Sequence, residues 1–142
     1  TILLSKKNSQ LPDSQLLDLS NTPDLAQTIA VSCFGLGIGC QLTGLHTLKI
    51  KETDRLVDLK TELEKLGAEV KITADSFLLE KSSEIISGIG IDTYQDHRMA
   101  MAFAPLVLKK NIIINSAEVV SKSYPNFWED LKKTGIMCNL TN

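Results

Sequence analysis

The sequence predicts an α/β (α+β) chain made of two copies of one unit, with apolar helices buried inside and amphipathic helices and strands around them. Three observations carry this. Asp24 to Leu36 and Asp96 to Leu108 are apolar almost all round and rich in small residues, and a helix without a polar face must be covered on most sides. Two other helical stretches, from Thr53 and from Phe127, are charged on one side and stop at Gly67 and Gly135, the usual place for glycine after a helix. Finally, Leu63-Glu64-Lys65-Leu66-Gly67 matches Leu131-Lys132-Lys133-Thr134-Gly135, and Lys51 precedes the first amphipathic helix as Lys122 precedes the second. The units, roughly 1–75 and 76–142, form a single globular body, and repeats of this size are whole supersecondary units.

In chain order, Leu16-Leu17-Asp18-Leu19 reads as a short strand, and Ser20-Asn21-Thr22-Pro23 carries turn and helix-start chemistry. The first apolar helix ends at Gly37 and Gly39. Cys40 to Thr43 and His46 to Lys51 read as two strands around a turn at Gly44. In the amphipathic helix that follows, Leu56, Leu59, Leu63 and Leu66 form the apolar stripe, while Asp58, Lys60, Glu62, Glu64 and Lys65 are expected to face water. Ala68 to Thr73 and Phe77 to Glu80 make a hairpin, and Ser82 to Gly90 a strand and a loop. After the second apolar helix, Ile112-Ile113-Ile114 reads as a buried strand and Phe127 to Thr134 as the last helix.

Composition narrows the class. The 142 residues are 43% hydrophobic and 23% charged, ordinary for a soluble domain. A formal net charge of −2 leaves no global basic field for nucleic acid. Cys33, Cys40 and Cys138 are odd in number and lack zinc spacing, which fits free thiols in a reducing compartment, and so a cytoplasmic protein. The longest apolar run, Leu25 to Leu42, is broken by Gln27, Gly35, Gly37, Gly39 and Gln41, so no membrane span is expected. The opening Thr1-Ile2-Leu3-Leu4, without Met, reads as a cut from a longer polypeptide.

Residues able to do chemistry gather in four clusters, each expected at an element start: Pro23-Asp24, Lys51-Glu52-Thr53-Asp54-Arg55, Asp96-His97-Arg98 and Ser121-Lys122-Ser123. In a repeated fold, equivalent ends share one side of the molecule, so the four can converge. Arg55 and Arg98 could grip an anion bidentately, with Lys51 and Lys122 as point charges. Glu52 is a candidate proton-transfer group. Each cluster alone also has a bland explanation. Thr53 and Asp54 suit a helix start, Asp96 suits a cap, Asp24 is an ordinary first-turn acid, and one exposed lysine means little. Gly35-x-Gly37-x-Gly39 follows a helix, so a dinucleotide-binding turn fails on context.

Together the clusters are more specific. Lys51-Glu52-Thr53-Asp54-Arg55-Leu56 resembles the K-E-[ST]-D-R-[IL] signature of EPSP synthases, also called 3-phosphoshikimate 1-carboxyvinyltransferases. Asp96-His97-Arg98-Met99-Ala100-Met101 is similar to that family's D-H-R-x-A-M motif, and Lys122-Ser123-Tyr124-Pro125 to its K-[ST]-[FY]-P segment. The resemblance implies repeated βαβαββ units of the enolpyruvyl transferase fold, with buried helices packed against outward-facing mixed sheets. It implies transfer of the carboxyvinyl group of phosphoenolpyruvate to the 5-hydroxyl of shikimate 3-phosphate, with release of phosphate and without metal or organic cofactor. Carried over by motif, Asp24 would be the base near the 5-hydroxyl and Glu52 the proton donor at the methylene. Arg55, Arg98 and Lys122 would hold phosphoenolpyruvate with His97 beside them, and Lys51 would touch shikimate phosphate. Thr47 stands where the family often has Asn.

The resemblance covers the C-terminal part of such an enzyme, so the remainder of that enzyme is an expected partner, the chain alone is expected to be inactive, and apolar surface at the cut is an expected homodimer face. One rival is the sister transferase acting on UDP-N-acetylglucosamine, whose corresponding motifs lack these forms. Another is a non-catalytic nucleic-acid-binding or assembly module of the same fold, which the net charge and the few aromatic residues oppose.

Overall fold

The computed structural model describes residues 2, 3, 5, 10–50 and 54–139. Strand β1 (Ser14–Asp18) runs parallel to β2 (Gly39–Thr43), with Leu17 opposite Leu42. The connection between them is helix α1 (Ala26–Leu36), as parallel strands require a crossover. Strands β3 (Val70–Ile72) and β4 (Phe77–Leu79) form a hairpin, and β4 adds antiparallel to β2, giving the order β1-β2-β4-β3. Helix α2 (Arg55–Lys65) leads into that hairpin. A second, parallel pair joins β5 (Gly90–Ile91) to β6 (Ile113–Ile114), with α3 (His97–Phe103) between them in the chain. Helix α4 (Phe127–Lys133) closes the described chain. The fold is thus mixed α/β, with helices packed against mixed sheets.

Helix α1 is the centre of the core. Ala26, Ala30, Val31, Cys33 and Phe34 are buried, and the helix packs directly on α3 through Met99, Ala102 and Phe103. Close approach needs small residues. A Cβ on Gly35 would lie 2.8 Å from Cδ2 of the buried Leu106, so glycine there lets the two apolar segments touch. Helix α2 closes one side by burying Leu56, Leu59, Leu63 and Leu66 completely, each contributing about 1.5–3 kcal/mol relative to exposure.

Several elements differ from the sequence expectation. His46–Ile50 is a 3-10 turn, not a strand. Leu45 and Leu48, three apart, are both buried, and Leu48 N–H donates to the Leu45 carbonyl at 3.0 Å, so the segment follows a period of three. The second apolar helix stops at Phe103 and continues as a 3-10 turn, Ala104–Leu108, because Pro105 has no N–H to extend the ladder. No strand forms from 82 to 89; pairing begins at Gly90. The cap of α2 is Asp54, whose carboxylate accepts from Val57 N–H at 3.3 Å, while Thr53 lies outside the described residues.

Candidate functional site

The site is assembled from three separated stretches. Asp24 sits in the 3-10 turn Pro23–Leu25, where Pro23 starts the turn that leads into α1. Arg55 is the first residue of α2, and Asp96 caps α3 by accepting Arg98 N–H at 2.9 Å. Arg55 lies between two carboxylates: its Nη1 is 2.9 Å from Asp24 Oδ1 and its Nε is 2.7 Å from Asp96 Oδ2. Arg98 reaches back over the same turn, with Nη1 donating to the Asp24 carbonyl at 3.2 Å and Nη2 lying 3.4 Å from Asp24 Oδ2.

Burial divides these groups in two. The side chains of Arg55 and Asp96 are 3% and 0% exposed, whereas those of Asp24 and Arg98 are each 37% exposed. The buried pair is a fixed anchor, and the exposed pair is the part of the cluster open to solvent. Lys122 approaches the same region, donating from Nζ to the carbonyl of Gln95, the residue before Asp96, at 3.0 Å. Among Asp24, Arg55, Asp96, Arg98 and Lys122, three cations stand against two carboxylates, which favours a small anion at the exposed side.

The remaining candidates fall less centrally. His97 is half-buried at the start of α3 and makes no side-chain hydrogen bond to another described residue. Thr47 lies in the 3-10 turn 46–50 that packs against the Asp24 turn, and its hydroxyl is buried with no hydrogen-bond partner among the described residues. Lys51 and Glu52 lie outside the described residues. Lys122 stands at the end of the 3-10 turn Ala117–Lys122, not at an element start as the repeat pattern suggested.

Two contributors escaped the sequence reading. Gln27, three residues after Asp24 and 1% exposed, donates from Nε2 to Asp96 Oδ2 at 3.1 Å; its one signal was a lone amide in an apolar run. Glu62, expected to face water, is fully buried. With Arg55, Leu59 and Leu66 it shares a stripe at spacings of three and four, the core-facing spacing of a helix. It accepts from Tyr94 Oη at 2.6 Å, Asp92 N–H at 3.1 Å and Lys65 Nζ at 2.9 Å. These contacts shift the groups around it. Burial, then the Glu62 carboxylate, pushes the Tyr94 phenol well up. Hydrogen bonds from Lys65 and then Asn115 hold the Asp92 carboxyl below its usual range. For Lys65 burial opposes the charge, but Asp92 and Glu62 together raise it.

Cys33 and Cys40 are buried free thiols and Cys138 a half-buried one. Among the described residues no cluster of three or more His, Cys, Asp or Glu side chains could hold a metal ion, and no helix is long and apolar enough to cross a membrane.

A sequence profile of the family described as EPSP synthase (3-phosphoshikimate 1-carboxyvinyltransferase) matches residues 5–131. The 3-phosphoshikimate 1-carboxyvinyltransferase of Bacteroides fragilis is 46% identical over 141 residues, covering 92% of this chain and 32% of its own. That of Clostridium acetobutylicum is 41% identical over 122 residues, covering 84% of this chain and 28% of its own. The solved structure of EPSP synthase from Acinetobacter baumannii resembles this fold with a TM-score of 0.71 at 26% identity, over 82% of this chain and 28% of that one. The chain therefore spans about a third of the length of the curated relatives it matches. These matches do not favour the UDP-aminosugar alternative.

Proposed function

The chain belongs to the EPSP synthase family, and from that premise we propose that it is the C-terminal part of an enolpyruvyl transferase acting on phosphoenolpyruvate and shikimate 3-phosphate. The observation that carries this reading is the convergence of Arg55 and Arg98, from two separated parts of the chain, on the Asp24 carboxylate at 2.9 and 3.4 Å. A half-exposed guanidinium held beside a half-exposed carboxylate suits a reaction that must bind an anion and take a proton from a hydroxyl.

In this reading Arg98 and Lys122 bind the carboxylate and phosphate of phosphoenolpyruvate, with Arg55 fixing Asp24 behind them and His97 alongside. Asp24 takes the proton of the 5-hydroxyl as its oxygen bonds to the enol carbon, and Glu52 delivers a proton to the methylene. The tetrahedral intermediate then expels phosphate as the new methyl group returns a proton, restoring the vinyl group. Lys51 and Thr47 lie toward shikimate 3-phosphate. Positioned groups on the other side of the substrates come from the two thirds of the relatives' length that this chain does not match. The chain comprises two repeats, roughly 1–75 and 76–142, of a domain of a cytoplasmic enzyme. Alone, it is inactive and self-associates through exposed apolar residues such as Leu16 and Leu108; a monomeric mass by light scattering refutes the self-association.

The test is a chimera in which residues 5–131 replace the matched segment of the Bacteroides fragilis relative. Steady-state release of phosphate should persist in the chimera, fall by at least about a hundredfold on Glu52→Gln or Asp24→Asn, and be absent for this chain alone. A folded, inactive chimera, or full activity in either variant, refutes the assignment of roles.

A further inference from the structure

Tyr94 and Gln95 are consecutive residues with positive φ, 51° and 60°. A bulky side chain in the left-handed region is uncommon, and such strain persists only where the surroundings over-determine it, most often beside functional groups. Here the strained pair immediately precedes Asp96, and its second carbonyl is the one that receives Lys122.

What holds the pair is a buried carboxylate on α2. Glu62, fully buried, accepts the Tyr94 hydroxyl on Oε1 at 2.6 Å and the Asp92 N–H on Oε2 at 3.1 Å, so it grips the turn by a side chain and by the backbone. Asp92 is fixed in turn by Lys65 at 2.8 Å and Asn115 at 2.7 Å. Beyond the strained pair, Asp96 N–H closes on the Thr93 carbonyl at 2.8 Å. Helix α2 therefore holds the segment 92–98 along its length: Arg55 holds Asp96, Glu62, on the same helical stripe, holds Tyr94 and the Asp92 N–H, and Lys65 holds the Asp92 carboxylate. A buried carboxylate is no more stabilising than a well-packed apolar side chain, so geometry is the better explanation for one at this position.

We infer that Glu62 and Tyr94 are positioning residues that clamp the Tyr94–Gln95 turn to α2, setting the Gln95 carbonyl that orients Lys122 and the register of Asp96 and Arg98. Neither touches a ligand. The affinity consequence rests on the proposed phosphoenolpyruvate site; the conformational consequence does not.

The test compares Tyr94→Phe, which removes only the hydroxyl, with Val70→Ala, which opens the core at the buried β3 position far along the chain from the turn. In the ligand-free protein, Tyr94→Phe should change the amide–Hα couplings of residues 94 and 95 and shift the Arg98 amide and the Lys122 ammonium methylene signals. It should also weaken phosphoenolpyruvate binding about tenfold. Val70→Ala should lower the melting temperature while leaving couplings, Lys122 and affinity unchanged. Unaltered couplings and Lys122 signals in Tyr94→Phe overturn the inference whatever the ligand does, and so does an equal change in Val70→Ala. A wild-type protein that ignores phosphoenolpyruvate instead refutes the proposed site, and the clamp is then decided by the ligand-free signals.

Discussion

Replacing Asp96 with Asn leaves the shape of the side chain almost unchanged and removes one charge from a fully buried position. The carboxylate meets Arg98 N–H through Oδ1, and Gln27 Nε2 and Arg55 Nε through Oδ2. An asparagine can keep the cap with its carbonyl, but its amide then presents N–H groups to two donors. If it flips, the cap is lost instead, at about 0.5–2 kcal/mol. In either arrangement the buried Arg55 guanidinium loses its fully buried anionic partner, 2.7 Å from Nε, and breaking a buried pair from one side costs about 3–5 kcal/mol. Asp24 still faces Arg55 at 2.9 Å, so the lower end of that range, about 3 kcal/mol, is expected. For a domain of this size that is roughly a 10 °C fall in melting temperature. Asp24→Asn is the internal comparison. Asp24 is 37% exposed, and removing a charge at such a position costs about 0–1 kcal/mol. Urea unfolding of both variants against wild type measures the difference. Equal losses, or a loss under about 1 kcal/mol for Asp96→Asn, would mean that the buried pair is not what fixes Arg55.

Two further outcomes follow from the structure. Gly44 has φ 75°, and a Cβ there would lie 2.3 Å from Ser20 Oγ and 2.5 Å from Ser20 N; Gly44→Ala should cost about 2–5 kcal/mol in urea, from left-handed strain and displaced backbone together. The network around Glu62 should shape the pH dependence of stability. Asp92 is held below its ordinary value by Lys65 and Asn115, so its contribution is complete above about pH 4 and is lost as the pH falls through its folded-state value; Asp92→Asn should flatten that acid limb. Lys65 is raised, the Asp92 and Glu62 contacts outweighing burial, so its contribution is complete below about pH 10.4 and is lost as the pH rises through its folded-state value. An acid limb unchanged by Asp92→Asn would contradict the assignment.

What could be read in the sequence was whatever has a local cause. The apolar runs of α1 and α3 have no polar face, so their burial followed from composition, and Gly67 marked the end of α2 by its place alone. Asp96 as a cap was legible because it opens an apolar run. What was not legible depended on partners distant in the chain. Gln27 and Asp96 lie 69 positions apart, and nothing near Gln27 announces that it supports a carboxylate. Glu62 was read as a surface residue from its charge, although its spacing from Leu59 and Leu66 already put it on the buried stripe. There the period was the better guide and the residue type misled. The strand expected from His46 to Lys51 failed because its start was placed after Leu45, whose spacing of three from Leu48 marks the 3-10 turn. Arg55 and Arg98 were recognised as a pair from chemistry and motif, while their division into a buried anchor and an exposed group required the fold.

The claim on which the account turns is that the exposed half of this cluster is ready to receive phosphoenolpyruvate. The most direct measurement is an NMR titration of the chain with phosphoenolpyruvate beside an Arg98→Ala variant. The account predicts weak, saturable shifts at Arg55, Arg98 and Lys122 that disappear in the variant, while the Asp24–Arg55 contact persists. Shifts that survive the loss of Arg98, or saturable binding that perturbs residues remote from these three, would contradict it.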